Sequence, residues 1–225
     1  EPISSIADID QAIDSLPLIV RDQFSDAPFK MGAINAQNGA ASVDTTVTAI
    51  KMALNGDVAA VVAAPNTKSS INQAGIDYDG YLSLVARETG QSQEDIFMML
   101  SFGQVNLAHC TLHSSVRRSL DLITRNRVVS VIKAVHKTLV ATGISSPRIL
   151  VSGVNPHASE DGLFGEEEAE IIRPAIEEAL AANIQLEGPA PADLMLHRDD
   201  IDAFIVMLHD QGHIPAKVMA RHGAA

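Results

Sequence analysis

Three histidines stand just beyond stretches that read as β-strands, the place where open α/β sheets gather their ligand sites. His113 closes the stretch 105–112, and His157 lies in Gly153-Val154-Asn155-Pro156-His157-Ala158-Ser159-Glu160. His209 opens His209-Asp210-Gln211-Gly212 after residues 203–208. Imidazole is the commonest transition-metal ligand, and three converging histidines leave coordination positions for water or substrate. Two of the three loops also carry turn-forming Pro or Gly, so a structural role stays open on the residues alone. His109 and His113 form H-x-x-x-H. In a strand those positions share a face but lie about 13 Å apart, which makes His109 a core or supporting residue.

Other candidates have two readings each. His213, in Gly212-His213-Ile214-Pro215, could touch substrate or belong to a turn. Asp193, in Gly188-Pro189-Ala190-Pro191-Ala192-Asp193, could do chemistry or cap a helix. Lys68 follows Pro65 at another strand end and could bind an anion or face water. Arg117, Arg118 and Lys217 could hold a carboxylate or phosphate, or form a solvated face. Cys110 reads as a small buried apolar residue, and Asp199-Asp200-Ile201-Asp202 as an exposed acidic turn.

These residues need a scaffold of alternating strands and helices. Residues 4–16 fit a 3.6-residue period, and a second helix is expected over 44–54, stopped by Asn55-Gly56. Residues 57–64 are apolar on both faces, as a central strand of a parallel sheet is. Residues 105–112 read as a further strand. Thr124 is placed to cap a helix that buries Val128, Val131, Ile132, Val135 and Leu139 and closes at Gly143. Strand and turn follow over 147–153. A helix then opens on Glu166-Glu167-Glu168, which suits the positive end of its dipole, and Pro174 is expected to kink it. Residues 203–208 form the last strand. The alternation predicts an α/β fold with a mainly parallel sheet.

Composition narrows the function. The chain has 225 residues with 16 basic and 28 acidic side chains, a net charge of −12. That balance argues against a nucleic-acid binder, which needs a basic face. No apolar run reaches the length of a membrane span, and the first residues carry no signal-peptide pattern. A single cysteine excludes an internal disulfide, so a cytoplasmic protein is expected. No P-loop, G-x-G-x-x-G turn, H-E-x-x-H, C-x-x-C or G-x-S-x-G is present.

Asn155-Pro156-His157-Ala158, Gly188-Pro189-x-Pro191-Ala192-Asp193 and His209-Asp210-Gln211-Gly212-x-x-Pro215-x-Lys217 together resemble the 4-hydroxythreonine-4-phosphate dehydrogenase (PdxA-like) family of vitamin B6 synthesis. The likeness runs from about Gly32 to Lys217 in the same motif order. It implies an α/β/α sandwich resembling isocitrate and isopropylmalate dehydrogenases, and a homodimer with its active site at the subunit interface. One divalent metal (Zn, Mg, Mn or Fe) would be held by His113, His157 and His209. Asp193, Asp210 and Lys217 would supply the catalytic groups. Lys68, in Pro65-Asn66-Thr67-Lys68, matches the family's Pro-x-x-Lys and would bind substrate.

In detail the chain is similar to the terephthalate cis-dihydrodiol dehydrogenases of that family. Gly80-Tyr81-Leu82-Ser83 stands where the phosphate branch has Gly-His-Thr-Glu, which makes Tyr81 and Ser83 substrate-binding candidates beside Arg117 and His213. The resemblance thus implies NAD(P)-linked oxidative decarboxylation of a β-hydroxy acid, with terephthalate cis-1,2-dihydrodiol going to protocatechuate as the first reading. The alternative is 4-hydroxythreonine-4-phosphate. The family's first strand and its C-terminal NAD segment have no counterpart, so residues 1–225 are expected to form an incomplete unit whose cofactor contacts cannot be assigned. A three-histidine metal hydrolase and a non-catalytic metal- or anion-binding module are the readings outside this chemistry.

Overall fold

The computed structural model describes residues 2–3, 6, 16–24, 29–92 and 95–220. The chain divides into two compact units, residues 1–93 and 94–225.

In the first unit, β1 (Pro2–Ile3) pairs in parallel with β2 (Leu18–Ile19). Three helices follow: α1 (Ala36–Leu54), α2 (Lys68–Gln73) and α3 (Tyr81–Thr89). They share a small core of Val43, Ile50, Ile71, Tyr78 and Leu84. Helix α1 begins eight residues before the position its apolar period suggests. Its start is set by Asn35, whose side chain accepts a hydrogen bond from the Asn38 N–H at 2.8 Å, and the polar first turn hides this from a hydrophobicity reading. Gly39 in that turn lets α1 lie directly on the α2 backbone, because any Cβ there would overlap the Ser70 carbonyl.

Two expectations change here. Residues 57–64 are not a strand, and Val62 is 97% exposed. An apolar run becomes a central strand only with a hydrogen-bonded neighbour, and the described residues of this unit supply none to it. The last four residues of the run, Val61 to Ala64, instead line a cavity of about 440 Å³ with Phe24 and Phe29. The helix expected over 4–16 lies outside the described residues, apart from Ile6 and Leu16.

The second unit is built on a five-stranded sheet of order β3-β4-β7-β5-β6. The strands are β3 (Met99–Phe102), β4 (Val105–His109), β5 (Ile149–Ser152), β6 (Leu186–Ala190) and β7 (Ala203–Val206). All pairings are parallel except the β3–β4 hairpin, so the sheet is mainly parallel as expected, with one antiparallel edge. On one face, Ala108, Val151 and Ile205 pack under α5 (Arg125–Ala141) and α6 (Arg173–Ala181). On the other, Leu107, Leu150, Phe204 and Val206 meet Met195 and Ile201. Helix α5 is the one anticipated: the Thr124 hydroxyl accepts from the Arg127 N–H at 3.2 Å, and all five expected apolar side chains are buried. Short α4 (Val116–Leu122) precedes it, and α7 (His209–Ala220) ends the described fold.

Three details differ from the sequence reading. The helix expected to open at Glu166 carries a π-turn over Glu168–Ile172 and runs on with helical backbone into α6, so the irregularity at Pro174 is a widened turn just before it. Strand β6 runs through Gly188-Pro189, residues that argue against a strand but are tolerated at a sheet edge. In the acidic turn 199–202, Asp199 and Asp200 are exposed as expected but Ile201 is buried, and Asp200 is paired. Arg148 and Arg198 both bridge Glu187 and Asp200, and the Arg198 hydrogen bond holds the Asp200 carboxyl well below its usual range. Among the described residues, no helix is long and apolar enough to cross a membrane.

Candidate active site

Three candidate side chains, His113, His209 and His157, follow the carboxyl ends of β4, β7 and β5. Beyond its last ladder residue, β4 stays zipped to the chain leaving β7. The Cys110 N–H donates to the Val206 carbonyl at 2.8 Å, and the Thr111 hydroxyl donates to the Met207 carbonyl at 2.7 Å. This fixes the segment carrying His113 beside the one carrying His209. On the other side, Gln211 ties β7 to β5. Its Oε1 accepts from the Met207 and Leu208 N–H groups at 3.0 and 2.9 Å, and its Nε2 donates to the Gly153 carbonyl at 3.0 Å.

Four imidazoles form a row from the core to the surface. His109 is wholly buried on β4, as expected of a core or supporting residue. Its Nε2 lies 3.1 Å from His213 Nδ1. The His213 ring stacks on His209, with centroids 3.8 Å apart and planes 7° from parallel, and the His209 and His113 centroids are 5.5 Å apart. His213 is thus on α7, one turn after His209, and not in a turn. Lys217 follows one turn further and is exposed. Burial, then the neighbouring His209, lowers the His213 pKa.

Burial, followed by the charge His213 can carry, pushes His109 down to about 4 from an ordinary 6.5. The unfolded chain therefore binds the extra proton between those two values, and stability must fall as pH drops through that window. The loss amounts to up to about 3 kcal/mol and is complete below pH 4. Urea denaturation midpoints compared at neutral and acid pH should show it, and His109→Leu should flatten that part of the profile. Cys110, pushed up to about 12 by burial, is no nucleophile.

His157 is presented by a different device. Residues 157 to 161 all have left-handed backbone, with φ of 53°, 52°, 73°, 47° and 56°. Side chains rarely adopt this conformation, so the loop must be held from outside. Glu168, 2% exposed, does so. One carboxylate oxygen accepts from the Val154 and Asn155 N–H groups at 2.7 and 2.8 Å, and the other from the Asn155 side chain at 2.9 Å. The Ser159 hydroxyl adds a bond to the Gly165 carbonyl at 2.6 Å.

A metal site must be tested against these donors. His157 Nδ1 lies 3.2 Å from Glu160 Oε1, and His209 Nδ1 lies 2.7 Å from Asp210 Oδ1. A carboxylate only accepts, so in each neutral ring Nδ1 carries the hydrogen and Nε2 presents a lone pair, the arrangement metal-binding histidines adopt. The donor set therefore fits a divalent ion. The structure brings His113 and His209 together but not His157 with them: among the described residues, no three His, Cys, Asp or Glu side chains are grouped to hold an ion.

The remaining candidates are dispersed. Asp193 is exposed in the turn after β6 and caps nothing, because the short turn Met195–His197 has no side-chain cap. Arg117 is exposed on α4. In the first unit, Lys68 opens α2 and is exposed, the Tyr81 hydroxyl donates to the Ala64 carbonyl, and the Ser83 hydroxyl donates to the Gly80 carbonyl at 2.9 Å. Sequence reasoning missed the supports: Thr111, Gln211 and Gly212, and Glu168, which it read only as a helix-dipole partner.

Comparison with known proteins adds to this geometry. The family model described as pyridoxal phosphate biosynthetic protein PdxA matches residues 3–225. A 1,2-dihydroxy-3,5-cyclohexadiene-1,4-dicarboxylate dehydrogenase of Comamonas sp. is 39% identical over 88% of this chain and 63% of its own length. A D-threonate 4-phosphate dehydrogenase of Pectobacterium atrosepticum is 37% identical over 84% of the chain and 59% of its own. The crystal structure of 4-hydroxythreonine-4-phosphate dehydrogenase from Klebsiella pneumoniae superposes with a TM-score of 0.87 at 34% identity, over 92% of this chain and 63% of that one. The chain thus spans about three-fifths of the length of these relatives. With the family model covering nearly every residue and the histidine-bearing sheet superposing on a solved member, the chain belongs to the PdxA family.

Proposed function

We propose that this chain carries the metal- and substrate-binding part of an NAD(P)-linked dehydrogenase. Its substrate is a 4-phosphorylated hydroxy acid of the 4-hydroxythreonine-4-phosphate or D-threonate 4-phosphate kind, oxidised at the hydroxyl β to the carboxylate. The observation that carries the reading is the presentation of His209 and His157, each with Nδ1 engaged by a neighbouring carboxylate and Nε2 free, and with His113 beside His209. Relatives named for both phosphorylated substrates support the substrate class.

When bound at His113, His157 and His209, a divalent ion would lower the pKa of the substrate hydroxyl, and NAD would take the hydride from its carbon. Nitrogen donors favour zinc or iron over magnesium or manganese. Because His157 does not join the other two within one chain, a second copy is the natural partner to complete the site, making the protein a homodimer. Asp210 is occupied in orienting His209, which leaves Asp193 and Lys217 to receive the hydroxyl proton. Arg117 and Lys68 are cations suited to the phosphate and carboxylate, and Lys217 joins them where Asp193 takes the proton. Oxidation leaves a keto group β to the carboxylate, so the C–C bond can break with release of carbon dioxide, its electron pair passing into that carbonyl.

The ring diol is the second reading, favoured by Tyr81. With its hydroxyl bonded to Ala64, this side chain offers only its ring face, and it lines the same apolar cavity as Phe24, Phe29 and Val61. The test follows NADH absorbance with the complete gene product, divalent metal and NAD, supplying each substrate separately. The phosphorylated acid should be preferred by about 10²-fold or more in kcat/KM. The opposite preference would establish the diol reading, and hydrolysis without NAD would replace both with a metal hydrolase.

A further inference from the structure

We propose that His109 and His213 are positioning residues for His209: His109 fixes the His213 imidazole, and His213 fixes the plane in which His209 presents its free nitrogen. This rests on the reading of His209 as a metal ligand.

Two contacts would otherwise be unexplained. His213 lies flat on His209, with 7° between the planes, while Asp210 grips the His209 ring edge at 2.7 Å. The edge bond alone would let the ring rotate about it, and the stack removes that freedom. The second contact anchors the stack. His213 Nδ1 lies 3.3 Å from the His209 carbonyl, which only accepts, and 3.1 Å from His109 Nε2. The His213 N–H is therefore shared between the two acceptors. The hydrogen of neutral His109 then sits on Nδ1, which is buried with the Met98 carbonyl beside it but makes no well-formed hydrogen bond.

A buried donor without a well-formed hydrogen bond destabilises a fold, and an aliphatic side chain would fill this strand position without that cost. What the imidazole supplies in return is its bond to His213. Gly212 permits the contact, since a Cβ there would overlap His109 Nε2.

The test is calorimetric titration of Zn²⁺ into the metal-free chain at one neutral pH, with melting temperatures measured alongside. His109→Leu should melt no lower than the parent yet bind Zn²⁺ about 10–100-fold more weakly. His213→Ala should weaken binding likewise. His109→Gln, which keeps a polar group at the Nε2 position, should stay within about threefold of the parent. Stability rising as affinity falls, with rescue by glutamine, is not the pattern of a merely structural residue. Parent-like Zn²⁺ affinity in His109→Leu and His213→Ala, with loss in His113→Ala, overturns the positioning role and keeps the metal reading. Parent-like affinity in His113→Ala overturns the metal reading and the positioning role with it. Should His109→Leu not fold, His213→Ala decides, because its side chain is partly exposed.

Discussion

Gly212→Ala is expected to destabilise the second unit by about 3 kcal/mol, the top of the usual range for overpacking. Helix α7 crosses β4 so closely that the added methyl would overlap a Leu107 methyl and the His109 ring at once. Neither can give way easily, because both are wholly buried. The helix must lift, and His209 and His213 lift with it. For a chain of this length the change corresponds to a melting temperature lower by about 6–12 °C. Adding His109→Ala should restore part of the loss, because it vacates the space the new methyl needs. The double-mutant cycle should therefore depart from additivity. A Gly212→Ala protein melting with the parent would show that α7 does not sit where it is described.

Glu168→Ala should cost about 3–5 kcal/mol, because the buried donors it serves lose hydrogen bonds to a charged acceptor worth about 1.5–3 kcal/mol each. The carboxylate is the common acceptor for two backbone N–H groups and the Asn155 side chain. Removing it strands those donors and releases the five left-handed residues that present His157. Glu168→Gln keeps an oxygen for the two N–H groups and should lose less than half as much. Chemical denaturation gives the free energies, and limited proteolysis should cut first within 156–165. Resistance to cleavage there, with stability unchanged, would deny Glu168 this role.

The elements legible in the sequence were those whose signal is local. Helix α5 shows its cap, its period and its closing glycine within 20 residues, and the apolar cores of β5 and β7 stand out because both faces are buried. The failures have the same cause seen from the other side. Residues 57–64 carry a strand pattern but no neighbour among the described residues, while β6 has a neighbour but a pattern broken by Gly188-Pro189. The histidines were legible because each follows a strand end. Their supports were not, because Glu168 acts 13 and 14 residues away and Gln211 acts 58 residues away, contacts that no periodicity announces.

Hydroxyl oxidation is expected to depend on an ion held by His113, His157 and His209. The direct measurement is NADH formation by the complete gene product after chelation and dialysis, before and after divalent metal is restored, in the parent and in His157→Ala. The stripped parent should form no NADH and recover fully on adding metal, and His157→Ala should form none at any metal concentration tested. NADH formed at the parent rate by stripped protein, or by His157→Ala, would contradict this dependence.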